Sequence, residues 1–299
     1  MLVAAAVTGL VTLANLSQVA SVVLAGTAIA YFTVFLRSPK VQPTERTRVR
    51  AFIPLFIATS VFFALFQQMF TVLGVYSDTR VDWTVFGWHA PPSWIGSIEP
   101  VWVIVLSPMF ALLWTRLGTR APSTPRKFAY GVVGMGAAYL MFVPMAGTAG
   151  KTVPVVLVAG ILGVFAISEL LISPIGLAVT TALAPQAFRS QMMALYFFSV
   201  GLGTALSGVL ARYYDAEHEV AYFGTLGAAA IVVGLIVWRA IDRSMIRDAM
   251  EAISEDEDAA AAAGVNVTAE KLKVTLISAL MTALAGAIYC QYQMFISPD

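Results

Sequence analysis

The stretch VPVVLVAGILGVFAISELLISPIGLAVTTAL, residues 153–183, contains one ionisable side chain, Glu169, in an otherwise uncharged and mostly apolar run. A helix needs about 20 predominantly apolar residues to cross a bilayer, because its backbone polar groups must be satisfied within the segment. This run is longer than that, so its helix must tilt or kink, and Pro174 supplies a cause for a kink. The stretch predicts an α-helical integral membrane protein.

The composition of the whole chain predicts the same class. The 299 residues are 59% hydrophobic and 12% charged, whereas soluble domains average about 45–50% apolar and about 25% charged residues. A net charge of +1 gives no basic surface for nucleic acid. One cysteine and two histidines give no disulfide framework and no metal-ligand cluster. The sequence also lacks a phosphate loop and a Ser/His/Asp set, so we expect neither a cofactor nor an enzyme.

Further apolar stretches give about nine candidate spans by the same length rule. They lie near residues 3–16, 18–36, 52–75, 96–115, 128–147, 153–183, 190–211, 219–238 and 273–294. The first two could form one long helix, but polar residues between them, Asn15, Ser17 and Gln18, favour a helical hairpin over residues 1–38.

The positions of Lys and Arg set the expected orientation, because these residues are retained in cytoplasmic loops. They cluster before the third stretch, between the fourth and fifth, after the sixth and after the eighth. Between residues 37 and 247 this alternation fits six consecutive spans that begin and end in the cytoplasm. We therefore expect residues 37–50, 116–127 and 239–266 to be cytoplasmic in a multi-pass protein of the inner (plasma) membrane.

Glu169 is the strongest candidate for a functional residue, because an ionisable group deep in a span is costly unless it is paired or hydrated. It is either a cavity-facing ligand or proton carrier, or a neutral carboxyl hydrogen-bonded to a neighbouring helix. Nearby Pro174 and Gly176 favour the cavity, since broken helices at the bilayer midplane often mark binding sites. Glu99 stands at the mouth of its span and is either a ligand or a helix cap.

Uncharged polar and small residues in other spans are weaker candidates. Gln67 and Gln68 more often join helices than bind substrate, and only one of the two is expected to face a given neighbour. Tyr196 is a candidate cavity residue, because its hydroxyl needs a partner in lipid. Close helix packing is predicted for the small residues of one stretch, Gly201, Gly203, Ala205 and Ser207.

Three long stretches resemble the proton-dependent oligopeptide transporter (POT/PTR) family of the major facilitator superfamily. They are YFTVFLRSPKVQPTERTRVRAFIPLFIATSVFFALFQQ (31–68), PPSWIGSIEPVWVIVLSPMFALLWTRLGTRAPSTPRKFAYG (91–131) and ISELLISPIGLAVTTALAPQAFRSQMMALYFFS (167–199). The resemblance extends over about residues 20–245. It implies that residues 46–245 are spans seven to twelve, the C-terminal half of such a transporter, and that residues 1–38 are the extra helix pair found between the halves.

The resemblance also assigns roles to individual residues. Glu169 matches the glutamate that receives the amino terminus of a peptide, and Tyr196 stands where many members have a cavity tryptophan, with Ser199 one turn on. Gln67 occupies a position that is often a proton-coupling acid, and Glu99 replaces a common asparagine. The resemblance implies uptake of di- and tripeptides with protons, with a missing N-terminal half as partner. Because Gln67 cannot take up a proton, we expect Glu169 to carry the proton coupling.

The tail, residues 249–299, resembles a different family. The stretch AMEAISEDEDAAAAAGVNVTAEKLKVTLISALMTALAGAIYCQYQMFISPD is similar to the permease of branched-chain amino-acid ABC importers, which implies a coupling helix that docks an ABC ATPase through residues 251–266. A solvated acidic linker followed by one extra membrane helix is the alternative. The chain is therefore expected to be a transporter half, an ABC permease component, or a non-functional fusion fragment.

Overall fold

A computed structural model describes residues 12, 15–85, 87–147 and 150–242 of the chain. All of them lie in Met1–Met250, the first of the two units into which the chain divides. The described part contains eight α-helices: α1 (Leu16–Arg37), α2 (Pro43–Phe66), α3 (Val72–Arg80), α4 (Ile95–Leu117), α5 (Thr124–Phe142), α6 (Val155–Leu183), α7 (Arg189–Leu210) and α8 (Glu219–Asp242). Short strands connect some of them: β1 (Val81–Asp82), β2 (Thr84–Val85), β3 (Trp88–His89) and β4 (Val153–Pro154).

Seven helical segments in the described residues are long and apolar enough to cross a membrane. They coincide with the seven candidate spans predicted between residues 18 and 238, so the all-α membrane fold is confirmed. The outermost two candidates, near 3–16 and 273–294, lie outside the described residues, except for the few positions at the end of the first. The predicted hairpin over 1–38 is therefore described only in its second arm, α1.

The span predicted near 52–75 differs from a single regular helix. It begins earlier, at Pro43, because proline suits the first turn and because Gln42 and Glu45 form a capping box. The α-helix ends at Phe66, and a 3₁₀ turn over Gln67–Phe70 connects α2 to α3. Apolar periodicity alone did not show this change in helical pitch, which lies in the middle of the span.

Helix α6 runs unbroken from Val155 to Leu183 with Pro174 inside it. A proline removes one backbone hydrogen bond without ending a membrane helix, because side chains and neighbouring helices supply other partners. The stretch predicted as the longest span is thus one continuous helix.

Glycines set the closest approaches between helices. Gly136 of α5 lies against Gly227 of α8, where a Cβ on Gly136 would stand 2.6 Å from the Gly227 carbonyl oxygen. Gly203 of α7 lies as close to α2, since its Cβ would stand 2.6 Å from the Ser60 carbonyl oxygen. The predicted small-residue packing is confirmed for Gly203, while Gly201 faces Leu24 of α1 instead.

Pairing of the short strands organises the loops at one end of the helices. Strands β2 and β3 form an antiparallel hairpin, and β1 pairs in parallel with β4, which precedes α6. Below them, aromatic rings fill the space between α3, α5 and α8: Tyr76, Phe142 and Phe223 have centroids 5.0 to 5.6 Å apart. The loops that start and end these helices are thereby fixed to one another.

Adding a methyl group at Gly203 tests this packing. We expect Gly203→Ala to lower the free energy of unfolding by about 1–3 kcal/mol, because an inserted carbon must push α7 away from α2. The midpoint of thermal unfolding in detergent measures the effect. Gly160→Ala is the matched control, since Gly160 lies in α6 with nothing within 4 Å of its Cβ position; equal midpoints for the two variants would contradict this packing.

Candidate functional site

Two carboxyl groups meet between α4 and α6. Glu99 of α4 is buried, with 3% of its surface exposed, and Glu169 of α6 is half-buried. The two side chains are in hydrogen-bonding contact. Two carboxylates in contact repel strongly, so a pair of this kind holds a proton between them.

The packing of Trp102 against α6 positions this pair. Its indole Nε1 donates to the Ala159 carbonyl at 2.9 Å, and its ring covers Gly163, where a Cβ would stand 3.3 Å from the indole. Glu99 precedes Trp102 by three residues, which places both side chains on the same face of α4. Because Gly163 has no side chain, α4 can approach α6 closely enough for the two carboxyl groups to touch.

Glu99 is not a helix cap. Helix α4 begins at Ile95, and its first turn contains no acid. The Glu99 oxygen Oε1 is buried and has no hydrogen-bond partner in the described part of the chain. The cap interpretation of Glu99 is therefore wrong, because a short 3₁₀ segment, Pro92–Trp94, starts the helical run before the apolar pattern does.

Tyr196 of α7 lies beside Glu169 of α6. Its ring packs on Gly176, where a Cβ would stand 2.8 Å away, and its hydroxyl is 3.5 Å from the Ser173 carbonyl, a long hydrogen bond. It is close enough to Glu169 for their charges to interact. Ser199 is fully buried and donates to the Tyr196 carbonyl at 2.6 Å, so its hydroxyl is bound within its own helix.

The two neighbouring glutamines both contact α7. The Gln67 amide donates to the Thr204 hydroxyl, and the Gln68 amide donates to the Ser207 carbonyl, each at 3.2 Å. The expectation that only one glutamine can face a given helix is wrong, because the 3₁₀ turn and the length of both side chains bring both amides to α7. They join the helices, and Gln67 is held by Thr204.

The buried ion pair of Arg80 and Glu219 was not predicted from the sequence. It lies at the end of the helices where the short strands are found. The Glu219 side chain is 0% exposed and accepts from Arg80 Nε at 3.0 Å. Its carboxylate also accepts from the Tyr214 hydroxyl at 2.8 Å and from the Gly147 backbone N–H at 3.0 Å. Burial and the bond to Glu219 raise the pKa of Tyr214 above its usual range. A lone arginine among the acids of these loops was the available signal.

The described residues contain no group of three His, Cys, Asp or Glu side chains that could hold a metal ion. The carboxyl pair also forms no ion pair with a base in this part of the chain, where the acids in ion pairs are Glu219, Asp78 and Asp215. The site is therefore a pair of acids between helices of a membrane protein. Such intramembrane acids are typical of transporters and proton relays.

Comparison with known proteins defines the family. The sequence profile of the POT family matches residues 8–229, and the chain belongs to this family, whose members are transporters and not enzymes. A di-/tripeptide transporter of Lactococcus lactis subsp. cremoris is 37% identical over 230 residues, which cover 75% of this chain and 46% of the relative. An uncharacterized transporter of Bacillus subtilis is 37% identical over 232 residues, covering 77% and 47%.

Solved structures show the same fold. A Glu-to-Gln variant of the peptide transporter POT in complex with alafosfalin is 39% identical, with a TM-score of 0.77, covering 83% of this chain and 51% of that one. A POT family transporter in complex with 5-aminolevulinic acid is 31% identical, with a TM-score of 0.72, covering 79% and 50%. The chain spans about half the length of the curated relatives it matches.

Removing the charge of Glu219 tests the buried ion pair. We expect Glu219→Gln to lower the free energy of unfolding by about 1.5–3 kcal/mol, because a charged hydrogen-bond acceptor for three donors is lost in a buried site. Thermal unfolding in detergent measures the loss. Glu217→Gln, on an exposed residue of the same loop, serves as the control and should leave the midpoint unchanged. A Glu219→Gln midpoint equal to the wild type would show that the pair is not stabilising.

Proposed function

We propose that the helices from Pro43 to Asp242 act as the C-terminal half of a transporter that moves di- and tripeptides inward with protons. The observation that carries this proposal is the acidic pair of Glu99 and Glu169, which lies between spans and has no basic partner among the described residues. Family membership and the names of the Lactococcus relatives support it. Alternating access would expose this pair to each side of the membrane in turn.

Glu169 is the proposed ligand for the ammonium group of a peptide. It is half-buried while Glu99 is buried, so a substrate can reach Glu169 first. A hydrogen bond between two charged groups is shorter and stronger than a neutral one, and it gains further in a cavity of low dielectric constant. An acid that lacks a protein cation therefore has its negative charge available for a ligand cation.

The other proposed substrate contacts surround this acid. Tyr196 presents a hydroxyl beside Glu169 with only a long bond of its own, which leaves it able to bind a peptide carbonyl. Glu99 of α4 lies beside Glu169 and is a further proposed substrate contact. Ser199, one turn from Tyr196, stays a prediction as a substrate ligand, since its hydroxyl is bonded within α7. Gln67 also stays a prediction, since its amide is bonded to Thr204 of α7.

A second set of spans completes the proposed cavity. Because the chain spans about half the length of its curated relatives, we propose a complementary N-terminal half as partner, with the site between the two halves. We also propose that residues 1–38, 46–245 and 249–299 are separate structural parts. The inner membrane is the proposed location, with residues 37–50, 116–127 and 239–266 in the cytoplasm, following the Lys and Arg alternation.

The ABC permease interpretation of the tail stays a prediction. Residues 249–299, with the proposed ATPase-docking segment 251–266, lie outside the described residues, and the POT family match ends at residue 229. The contact between Glu99 and Glu169 in the described helices favours a secondary transporter over an ABC permease component.

Transport by a reconstituted two-half protein tests the proposal. The chain is co-expressed with the N-terminal half of the Lactococcus di-/tripeptide transporter, and co-purification establishes that the halves assemble. We expect proteoliposomes to take up a dipeptide when a proton gradient is applied. Glu169→Gln should reduce uptake by about ten- to hundredfold, because a charge-assisted hydrogen bond is worth about 1.5–3 kcal/mol.

Two controls accompany this measurement. Glu217→Gln changes an exposed loop acid and should leave uptake unchanged. The chain reconstituted alone should show no saturable uptake, because half of the proposed cavity is absent. An assembled two-half protein without proton-driven uptake, or with uptake unaffected by Glu169→Gln, would contradict the proposed function.

A further inference from the structure

The described helices contain two buried acids in different environments. Glu219 is 1% exposed and receives hydrogen bonds from a guanidinium, a phenol and a backbone N–H. Glu99 is 3% exposed, and the side chain that forms a hydrogen bond with it is Glu169, another acid. Its second oxygen, Oε1, is buried without a partner in the described residues. Glu219 is thus surrounded as an ion should be, and Glu99 is not.

Burying an ionised carboxylate without a cation or several donors is far more costly than burying a neutral acid. On the same face of α4, the Trp102 Nε1 donor is used by the Ala159 carbonyl. A neutral carboxylic acid can donate one hydrogen bond through its O–H and leaves only one weakly accepting oxygen over. The surroundings of Glu99 fit that neutral form.

We propose that Glu99 is a proton-binding site: its carboxyl group is protonated at neutral pH and donates a hydrogen bond to the Glu169 carboxylate. The proton lies on Glu99 because Glu99 is the more deeply buried partner, while Glu169 is half-buried and has Tyr196 beside it. Protonation and release transfer one proton between the Glu99 carboxyl and water, with no other bond changed.

The groups that face this pair are few. Helices α3 and α6 pack on α4, and so do the 3₁₀ segments Gln67–Phe70, Pro92–Trp94 and Gly118–Arg120. The titratable group that reaches Glu99 from them is Glu169. Around Glu169, helix α7 adds Tyr196. The bases in ion pairs among the described residues, Arg80, Lys151 and His218, are paired with other acids. None of the ion pairs among the described residues includes Glu99 or Glu169.

This site gives the transporter half a titratable group inside the membrane, where the neighbouring amides Gln67 and Gln68 cannot take up a proton. Protonation of Glu99 removes one negative charge from the pair and leaves the other on Glu169, where a substrate ammonium would bind. The role of Glu99 in coupling rests on the proposed function. The protonation of Glu99 does not depend on that function.

Infrared difference spectroscopy of the full chain in lipid nanodiscs tests the site without transport. In the spectrum of the wild type minus Glu99→Gln at neutral pH, we expect a protonated-carboxyl C=O band that shifts to lower frequency in deuterium oxide. The control, wild type minus Glu217→Gln, should show carboxylate bands of Glu217 and no protonated-carboxyl band, because Glu217 is exposed. Absence of a protonated-carboxyl band in the Glu99 difference spectrum would overturn the proposal.

A second variant keeps Glu99 in place. Glu169→Gln replaces the carboxylate acceptor of the proposed hydrogen bond by a weaker, neutral amide, so the band should remain and move to higher frequency. An unchanged frequency would show that the two groups are not bonded, and a band that disappears would show that the burial of Glu99 does not hold the proton there; either result contradicts the proposal. Helical circular dichroism establishes that both variants are folded.

The spectrum and the uptake assay fail independently. A Glu99 band in a two-half protein that takes up no dipeptide would leave the proton site standing and remove the proposed function. Proton-driven uptake without the band would do the reverse.

Discussion

Hydrocarbon offers no hydrogen-bond partner, so each polar group inside a membrane protein must find one within the protein. The described helices show how this chain meets that constraint. Ser60 and Thr180 bond to carbonyls of their own helices, and the Tyr139 hydroxyl donates to the Leu65 carbonyl of a neighbouring helix at 2.8 Å. Gln67 and Gln68 bond across to α7. Polar side chains in the spans thus join or stabilise helices unless they serve another purpose.

The two buried acids show the difference between a stabilising and a functional group. Glu219 lies at the end of α8, where Arg80 and the loops supply donors, and its network ties four segments together. Glu99 lies within a span, in contact with an acid, and leaves an oxygen without a partner. A group that costs stability where a leucine would not is retained for chemistry more often than for packing. Packing alone therefore does not account for the carboxyl pair.

Apolar run length was enough to predict the seven spans of the described residues, because the requirement for about 20 apolar residues is set by the bilayer and not by tertiary contacts. Glu169 was also identified from sequence, since a lone acid in an apolar run is visible without a fold. The partner of Glu169 was not. Glu99 lies 70 positions earlier in the chain, and the packing of α4 on α6, with Trp102 against Gly163, brings it there.

The other differences between the prediction and the structure also depend on contacts between distant parts of the chain. The 3₁₀ turn after Phe66 arises from contacts in the middle of a span and leaves no mark in hydropathy, so the arrangement of Gln67 and Gln68 could not be predicted. The pairing of Arg80 with Glu219 joins the end of α3 to the start of α8, 139 positions away in the chain. Long-range pairs of this kind require the helices to be assembled first.

The contact between Glu99 and Glu169 is the central claim of this account, and a carbon-carbon correlation between the two side chains tests it most directly. The full chain with ¹³C-labelled glutamate is reconstituted in bilayers, and solid-state NMR records correlations between carboxyl carbons, with Glu99→Gln and Glu169→Gln used for assignment. The account predicts a cross-peak that disappears in either variant. A spectrum without a cross-peak between these two carboxyl carbons would contradict it.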